Sequence, residues 1–381
     1  MKDFKESLSQ LHNQQIRDLV KRISCVFILL YFFLIGVKCF SSGLQLMGGD
    51  FALTLFSMTG MPLVSLMIGM LATVLLQSSS VTTSIIVGLV SAGTISVEGA
   101  VPMMMGSNLG TSVTNTLVSL GYASDTGNFK KAFAAATVHD FFNILSVIIL
   151  LPLEIFTGFI EKAATYMSSI LYGSVSGINY QSPIKAIINP PVKAIKNFAL
   201  ENIDGQYAGF AMIGFAGIII IISLGTIVRT MKTLIENHKT ELVNKLLTKS
   251  AYGAILFGAI ITVAVQSSSI TTSLLIPMAG SGLLTVSAIY PITIGANIGT
   301  TVTALMAALA GNMAGLTIAL VHLLFNVFGG LIFFPILKMR QLPILLANKL
   351  AESIEKTRML VFAYVGIIFF ALPIGIIFVG R

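Results

Sequence analysis

Gln77-Ser78-Ser79-Ser80 decides how this chain is organised, because the same four residues return as Gln266-Ser267-Ser268-Ser269. Each copy interrupts a strongly apolar run. At the same offset of 189, 19 of the 51 positions from 66 to 116 are identical. Further along the chain the offset between the two copies becomes 183 residues. At this offset His139 matches His322 and Asn143 matches Asn326. The sequence therefore predicts two copies of one structural unit.

The composition predicts a membrane protein. Of 381 residues 55% are hydrophobic and only 10% charged, and the mean hydropathy is +0.92. Such a chain is too apolar for a soluble domain, so we expect a polytopic protein whose first partner is the lipid bilayer. The net charge of +8 comes from basic residues in the short connections between apolar runs, where they act as topology signals, and we expect no nucleic-acid partner. Cys25 and Cys39 both lie in the first apolar run, so neither a disulfide framework nor a metal site is predicted.

The apolar runs predict the order of the segments. A cytoplasmic segment, residues 1–22, comes before repeat 1 over 23–156, an external amphipathic and loop-like connection over 157–205, and repeat 2 over 206–338. Residues 339–381 are predicted to form a cytoplasmic amphipathic segment and a final transmembrane helix. Within the connection, Asn189-Pro190-Pro191 and Ile203-Asp204-Gly205 are expected to break helices. The predicted full crossings are 23–47, 97–123, 130–155, 206–229, 286–309, 313–337 and 360–379.

Each repeat also contains a run that is interrupted at its centre. In 61–93 about 16 apolar residues precede the serines and about 13 follow, and neither half reaches the roughly 20 residues that a crossing needs. We therefore predict re-entrant hairpins over 61–93 and 251–280. The spans 97–123 and 286–309 carry glycines and an asparagine near their midpoints, as in Gly106-Ser-Asn-Leu-Gly-Thr111, so both are predicted to be discontinuous.

The fold class that follows is an all-α polytopic membrane protein with two inverted-topology repeats, each with a re-entrant hairpin and a discontinuous helix. Each repeat has three crossings, and an odd number inverts the second copy relative to the first. The basic clusters at the connections agree with this arrangement and place the N-terminus in the cytoplasm. Inverted repeats with broken helices are typical of secondary transporters.

The tips of the hairpins have the chemistry of an ion site. The second half of each hairpin begins at the serines, so its free N–H groups and hydroxyls can bind an anion. Carbonyl ends and neutral side-chain oxygens suit a small cation such as sodium, and we expect these from Gln77, Thr83, Asn108, Thr111, Gln266, Thr272, Asn297 and Thr300. The alternative is that such residues only pack helices closely. Packing is the better reading of a single hydroxyl, whereas the repeated tetrapeptide favours a site. For Asn108 and Asn297, each near glycines, helix breaking alone is as good an explanation as contact with an ion.

Three further residues could serve the same centre. Asp140 is the one acid well inside an uninterrupted span, and Leu323 replaces it in the second copy. A carboxylate inside the membrane is a functional candidate, although it could also pair with a neighbour or lie near the wet end of its helix. His139 and His322 match one another, and a hydrogen bond between helices is favoured over a proton relay.

These motifs resemble a known family. Both Gln-Ser-Ser-Ser stretches, the run from Gly106 to Thr116, Ala132 to Asp140, and Gly295 to Thr301 are similar to the type II sodium/phosphate cotransporters. The resemblance implies sodium-driven uptake of inorganic phosphate with no cofactor, sodium ions being cotransported ligands. It implies electrogenic transport, because an aspartate at the position of Asp140 accompanies an additional sodium in that family. The short connection without cysteine or sequon suggests a bacterial member in the inner membrane, with a homodimer as a candidate assembly.

The resemblance also implies the site residues. Phosphate would be bound by Gln77, Ser78, Ser79, Ser80, Asn108, Gln266, Ser267, Ser268, Ser269 and Asn297. Sodium would be bound by Gln77, Thr83, Asn108, Thr111, Ser112, Asn115, Asp140, Gln266, Thr272, Asn297, Thr300 and Thr301.

Two other functions remain open at this point. A sodium-coupled carrier of another small anion, a dicarboxylate or sulfate, would use the same architecture. A membrane-embedded serine hydrolase would need a base beside its nucleophile, and no His, Lys or acid lies in either tip. We therefore expect a transporter and not an enzyme.

Overall fold

The computed structural model describes residues 2–47, 59–122, 126–173, 183–203, 205–236, 250–355, 357 and 359–380, and every regular element in these ranges is helical. The α-helices are α1 (Lys2–Leu46), α2 (Pro62–Leu76), α3 (Ser79–Ala92), α4 (Val97–Gly110), α5 (Val113–Ser119), α6 (Thr126–Thr157), α7 (Phe159–Gly173), α8 (Pro183–Asn202), α9 (Gly205–Glu236), α10 (Ala251–Val265), α11 (Ser268–Ser273), α12 (Leu275–Gly280), α13 (Val286–Ala310), α14 (Met313–Phe333), α15 (Leu337–Glu355), α16 (Met359–Gly366) and α17 (Leu372–Val379). A 3₁₀ turn, Leu120–Tyr122, follows α5, and a π turn, Ile367–Ala371, joins α16 to α17.

Six helical segments of the described chain are long and apolar enough to cross a membrane. They are Val20–Leu46, Gly127–Thr157, Tyr207–Ile227, Val286–Ala310, Met313–Phe333 and Met359–Val379. These match six of the seven predicted crossings. The seventh, 97–123, is divided between α4 and α5, each too short to cross alone. The first helix begins at Lys2, so residues 2–22 of the polar segment are helical and continuous with the span that follows.

The two copies pack their short helices in the same way. In the first copy α2 lies against α4, and in the second α10 lies against α13. A Cβ atom at Gly69 or Gly106 would overlap the carbonyl oxygen of Met103 or Leu66. Their matches, Gly258 and Gly295, are equally tight against the carbonyls of Ile292 and Ile255. The repeated glycines therefore allow two backbones to touch, as small residues do between membrane helices.

The first predicted discontinuous span is found, but the second is not. Helix α4 ends at Gly110 and α5 starts at Val113, whereas α13 continues without a break to Ala310. In the first copy, the carbonyl of Asn108 accepts the side-chain amide of Asn143 at 3.0 Å and the amide of Thr111, only three residues on, at 3.3 Å. In the second copy, the matching Asn326 donates to the carbonyl of His322 instead. The carbonyl of Asn297 thus has no side-chain amide among the described residues that competes with the hydrogen bonds of its own helix. In the first copy such an amide, from Asn143, accompanies the break.

The second hairpin has a break that was not predicted. Its second half is divided at Leu274 into α11 and α12, whereas α3 is continuous. Pro277 stands where the first copy has Gly88, and a proline cannot donate to the carbonyl four residues earlier, here that of Ser273. The helix that starts at the second tip therefore has only six residues before its first interruption.

The predicted break at Asn189-Pro190-Pro191 was wrong. Helix α8 continues through both prolines. The carbonyls that lose a donor belong to Ala186 and Ile187, which are exposed and can take other partners. The predicted loop-like connection thus contains α7 and α8, while the end of α8 at Asn202 agrees with the predicted breaker Ile203-Asp204-Gly205, of which Asp204 lies outside the described residues.

Candidate functional site

Each repeated glutamine ends a helix in the left-handed conformation. Gln77 has a φ of 52° and Gln266 a φ of 58°, the only non-glycine residues of the described chain with positive φ. In each copy the next residue is extended, and the second helix of the pair then begins. A non-glycine residue in this conformation is unusual. The tips are therefore sharp reversals with the same backbone geometry in both copies.

The glutamine side chains are held by matching threonines. Thr114 donates its hydroxyl to Oε1 of Gln77 at 3.0 Å, and Thr303 donates to Oε1 of Gln266 at 2.9 Å. Both threonines come from the helix that packs beside the tip. This pairing was missed in the sequence analysis, although Thr114 and Thr303 are identical at the repeat offset. Each Oε1 is thereby fixed in place and retains a lone pair for a cation.

The serines divide into caps and free hydroxyls. Ser78 accepts from the amide of Val81 and Ser267 from that of Ile270, so the first serine of each tip caps its helix. Ser79, Ser268 and Ser269 have no side-chain hydrogen bond to any described residue. Ser79 and Ser268 are nonetheless buried. Their hydroxyls are not among the fully buried side-chain atoms without a partner, so they remain reachable, and these matching positions can donate to a ligand.

The two tips come into direct contact. The hydroxyl of Ser80 donates to the backbone carbonyl of Gln266 at 3.4 Å. Gln77 is exposed, and Gln266 and Ser267 are half-buried, so the contact lies at an accessible surface. The structure thus brings together the two tetrapeptides that are separated by 189 positions in the sequence.

Two reciprocal histidine–asparagine pairs join the copies. Nε2 of His139 lies 2.5 Å from Oδ1 of Asn297, and Nε2 of His322 lies 3.3 Å from Oδ1 of Asn108. The histidine of each copy pairs with the asparagine of the other copy, which is the pattern of two equivalent contacts related by a two-fold axis. All four side chains are buried. The hydrogen-bonding role expected for the histidines is confirmed, and Asn108 and Asn297 hold helices from opposite copies together.

Asn143 extends one of these pairs. It accepts from Nδ2 of Asn297 at 2.7 Å and donates to the carbonyl of Asn108. One side chain of α6 therefore contacts both asparagines that were predicted at the ion site. Its identity with Asn326 in the repeat was the signal that could have found it.

The remaining predicted ligands are less concentrated. Asn115 exchanges hydrogen bonds with Thr272 at 2.8 and 3.0 Å and also accepts from Ser273 at 3.0 Å, which joins α5 to the second tip. The hydroxyls of other predicted sodium ligands donate to carbonyls of their own helices. These are Thr83, Thr111, Ser112, Thr300 and Thr301. Their oxygen lone pairs stay available, and no hydrogen bond among the described residues joins members of this second group to one another.

Asp140 is buried at the centre, with 1% of its surface exposed. Its Oδ2 accepts from the hydroxyl of Tyr364 at 2.7 Å. Oδ1 is buried and has no partner of its own. Tyr364 lies beyond the repeats, so no signal in the repeat alignment pointed to it.

The arrangement offers groups suited to an oxyanion and others suited to cations. Hydroxyls and the free amides at two helix starts are donors for an oxyanion. Amide, hydroxyl and carboxylate oxygens, such as Oε1 of Gln77 and Gln266 and Oδ1 of Asp140, are the hard ligands that small cations take. In a medium of low dielectric constant, a bound anion and a bound cation would each lower the free-energy cost of burying the charge of the other. Among the described residues, no serine of either tip is hydrogen-bonded to a histidine, lysine or acidic side chain, so no nucleophile–base pair is formed there.

Comparison with known proteins gives a consistent result. A family model described as Na+/Pi-cotransporter matches residues 32–177 and 219–374. The chain is 33% identical over 438 residues to human sodium-dependent phosphate transport protein 2B, covering 91% of this chain and 63% of the human protein. It is also 33% identical over 417 residues to rat sodium-dependent phosphate transport protein 2A, covering 90% and 65%. The chain thus spans a little under two thirds of these relatives, and no solved structure matches it significantly.

Proposed function

Because this chain belongs to the Na+/Pi-cotransporter family, we propose that it is a membrane symporter that imports inorganic phosphate together with sodium ions. The observation that carries the proposal is the contact between two identical tips, each with a serine whose hydroxyl is hydrogen-bonded to no described residue, Ser79 in one copy and Ser268 in the other. The names of the relatives state sodium-dependent phosphate transport, and transport requires no nucleophile. The protein is accordingly proposed to be a transporter without enzymatic activity.

The proposed phosphate site lies between the tips. Ser79, Ser268 and Ser269 would donate their hydroxyls, and the amides at the start of α3 would add donors aligned with the helix dipole. The second tip would depend more on hydroxyls, because α11 is short and its dipole is correspondingly weak. Gln77 and Gln266, fixed by their threonines, would present oxygens to the sodium ions that accompany the anion.

The proposed alternating-access mechanism uses the relation between the copies. We infer that the second copy is inserted upside down and that the two pairs of short helices are re-entrant hairpins. The reciprocal histidine–asparagine pairs support a two-fold relation, and the basic connections support opposite orientations. In single-cysteine variants of a Cys25 and Cys39 replacement protein, an impermeant thiol reagent outside cells should label position 313 and not position 130, its counterpart in the first copy. Labelling of both positions from the same side would contradict the inverted arrangement.

The identity of the anion can be tested by competition. Uptake of labelled phosphate into cells or liposomes is expected to fall with arsenate, which has the same tetrahedral shape and charge. Sulfate and succinate at the same concentration should leave it nearly unchanged. Inhibition by succinate or sulfate that equals the effect of arsenate would favour the alternative anion carrier.

Asp140 is proposed to bind the sodium ion that makes transport electrogenic. A buried carboxylate with an unpartnered oxygen is stabilised strongly by a cation. Asp140→Gly is expected to reduce the phosphate-evoked current per phosphate to near zero, with uptake changed about tenfold or less, since one site among several is lost. Current and labelled uptake measured on the same liposomes give the ratio. An unchanged charge-to-phosphate ratio would reject this role.

A further inference from the structure

We propose that Tyr364, in the last membrane-spanning segment, is a positioning residue for Asp140: its hydroxyl holds one carboxylate oxygen and leaves the other for a cotransported sodium ion. The inference rests on the proposed sodium-coupled function. A role in the sodium site is thereby assigned to Tyr364, which lies outside both repeats.

The contact between Tyr364 and Asp140 is short and partly buried. The phenol oxygen of Tyr364 lies 2.7 Å from Oδ2 of Asp140, in the range of strong hydrogen bonds to a charged group. Asp140 is almost fully buried, and its Oδ1 has no partner. A carboxylate can accept at both oxygens. The tyrosine therefore uses one side of the group and defines which oxygen is available.

The tyrosine is itself held in position by aromatic packing. Its ring meets Phe133 edge-on at 6.3 Å and Phe369 edge-on at 5.8 Å. Phe133 lies two turns before Asp140 on α6, and Phe369 lies in the π turn that follows α16. Both phenylalanines are buried. Because two edge-on contacts restrict the ring, the hydroxyl is presented to the carboxylate in a defined place.

The comparison of the two copies shows that Asp140 has no acidic counterpart in the second copy. The counterpart of Asp140 is Leu323, which packs against the apolar core. Tyr364 belongs to a helix after the second repeat, and its counterpart at the same offset, Gln181, lies outside the described residues. The one acid that breaks the repeat is thus contacted by a helix that the repeat does not include.

The π turn gives the last helix a means of adjusting this contact. Residues Ile367–Ala371 form the widened turn just before Pro373, which cannot donate a backbone hydrogen bond. The turn begins one helical turn after Tyr364. A shift of α16 relative to α6 would change the distance between the hydroxyl of Tyr364 and Asp140.

The test is a double-mutant cycle between Tyr364→Phe and Asp140→Gly in the full-length protein. Tyr364→Phe removes one oxygen and keeps the ring. It should raise the sodium concentration for half-maximal phosphate uptake about tenfold, as expected for a lost hydrogen bond to a charged group. Maximal uptake and the phosphate concentration for half-saturation at high sodium should stay within about twofold. In the Asp140→Gly background, the same substitution should cause no further shift.

A measurement of binding alone separates this inference from the proposed function. Sodium chloride, compared with choline chloride, is titrated against the melting temperature of the purified protein, with Tyr207→Phe, an exposed tyrosine of α9, as the matched control. Tyr364→Phe should need about tenfold more sodium for the same stabilisation. If the wild type lacks sodium-dependent phosphate uptake, the proposed function fails, and the melting titration still tests the tyrosine.

Three results would overturn the inference. The first is unchanged sodium dependence in Tyr364→Phe. The second is an equal shift in the Asp140→Gly background, which would mean that the hydroxyl acts through packing. The third is loss of folded protein in Tyr364→Phe, since a hydroxyl that only orders a cation ligand is not needed for folding.

Discussion

Replacing Ser79 and Ser268 together by alanine is expected to reduce sodium-driven phosphate uptake at least about a hundredfold, because each hydroxyl that donates to a charged group contributes roughly 1.5–3 kcal/mol. Neither hydroxyl bonds to a described residue, so their removal breaks no contact of the empty protein. The variant should therefore reach the membrane in normal amounts and melt near the wild-type temperature. The loss should be mainly in the phosphate concentration needed for half-saturation.

Single variants and a control make this result specific. Ser79→Ala and Ser268→Ala should each weaken uptake about tenfold or more, since the proposed site takes one donor from each copy. Ser281→Ala, at the far end of the second hairpin, replaces an exposed serine whose hydroxyl bonds within its own turn, and it should behave as the wild type. Normal uptake kinetics in the double alanine variant would show that phosphate does not bind between the tips.

Gly106→Ala is expected to prevent the formation of stable protein. A Cβ atom there would overlap the carbonyl of Leu66 and crowd the amide of Met70, and both obstacles are backbone atoms that no side-chain rotation can move. Helices α2 and α4 would have to separate, and the first tip would lose its support. Gly295→Ala should have the same effect, because the matching glycine meets Ile255 in the same way.

The measurement is the fraction of detergent-extracted protein that elutes as one symmetrical peak in size-exclusion chromatography. The matched control is Gly217→Ala in α9, where an added Cβ finds no described atom within 4 Å. This control should elute normally, since alanine also favours the helix. A Gly106→Ala protein that elutes and melts like the wild type would contradict the close packing of the repeat.

Much of the fold follows from features that the sequence repeats. The glycines that let helices touch, the serine tips and the histidine–asparagine pairs are all identical between copies, so an internal comparison identifies them. The lengths of the apolar runs then predict the helices and the membrane spans well, because about 20 apolar residues in a row have few stable conformations in a bilayer other than a helix.

The errors arise where one local contact decides the backbone. Nearly the same glycine-rich motif gives a break after Gly110 and a continuous helix through Gly299, because Asn143 reaches the backbone of the neighbouring helix and Asn326 turns to its own. Pro277 breaks a helix, whereas Pro190 and Pro191 do not, since the carbonyls left by the latter pair are exposed. Tertiary contacts override motif and propensity in each case.

The candidate site was predicted in part for the same reason. The free serines and both asparagines came from the repeat, and the structure places the serine tips in contact. Thr114 and Thr303, which hold the glutamines, are also identical between the copies. Nothing in the chemistry of a single threonine separates them from the other threonines that match. Tyr364 had no sequence signal at all, because its role depends on a single contact with an acid 224 positions away.

The most direct measurement is accumulation of labelled phosphate by liposomes that contain the purified protein, with an inward sodium gradient or an equal potassium gradient. Phosphate should accumulate above its external concentration with sodium, and it should not do so with potassium or with the Ser79→Ala and Ser268→Ala double variant. Uptake that is the same with either cation, or that survives the loss of both serines, would contradict a shared sodium and phosphate site between the two tips.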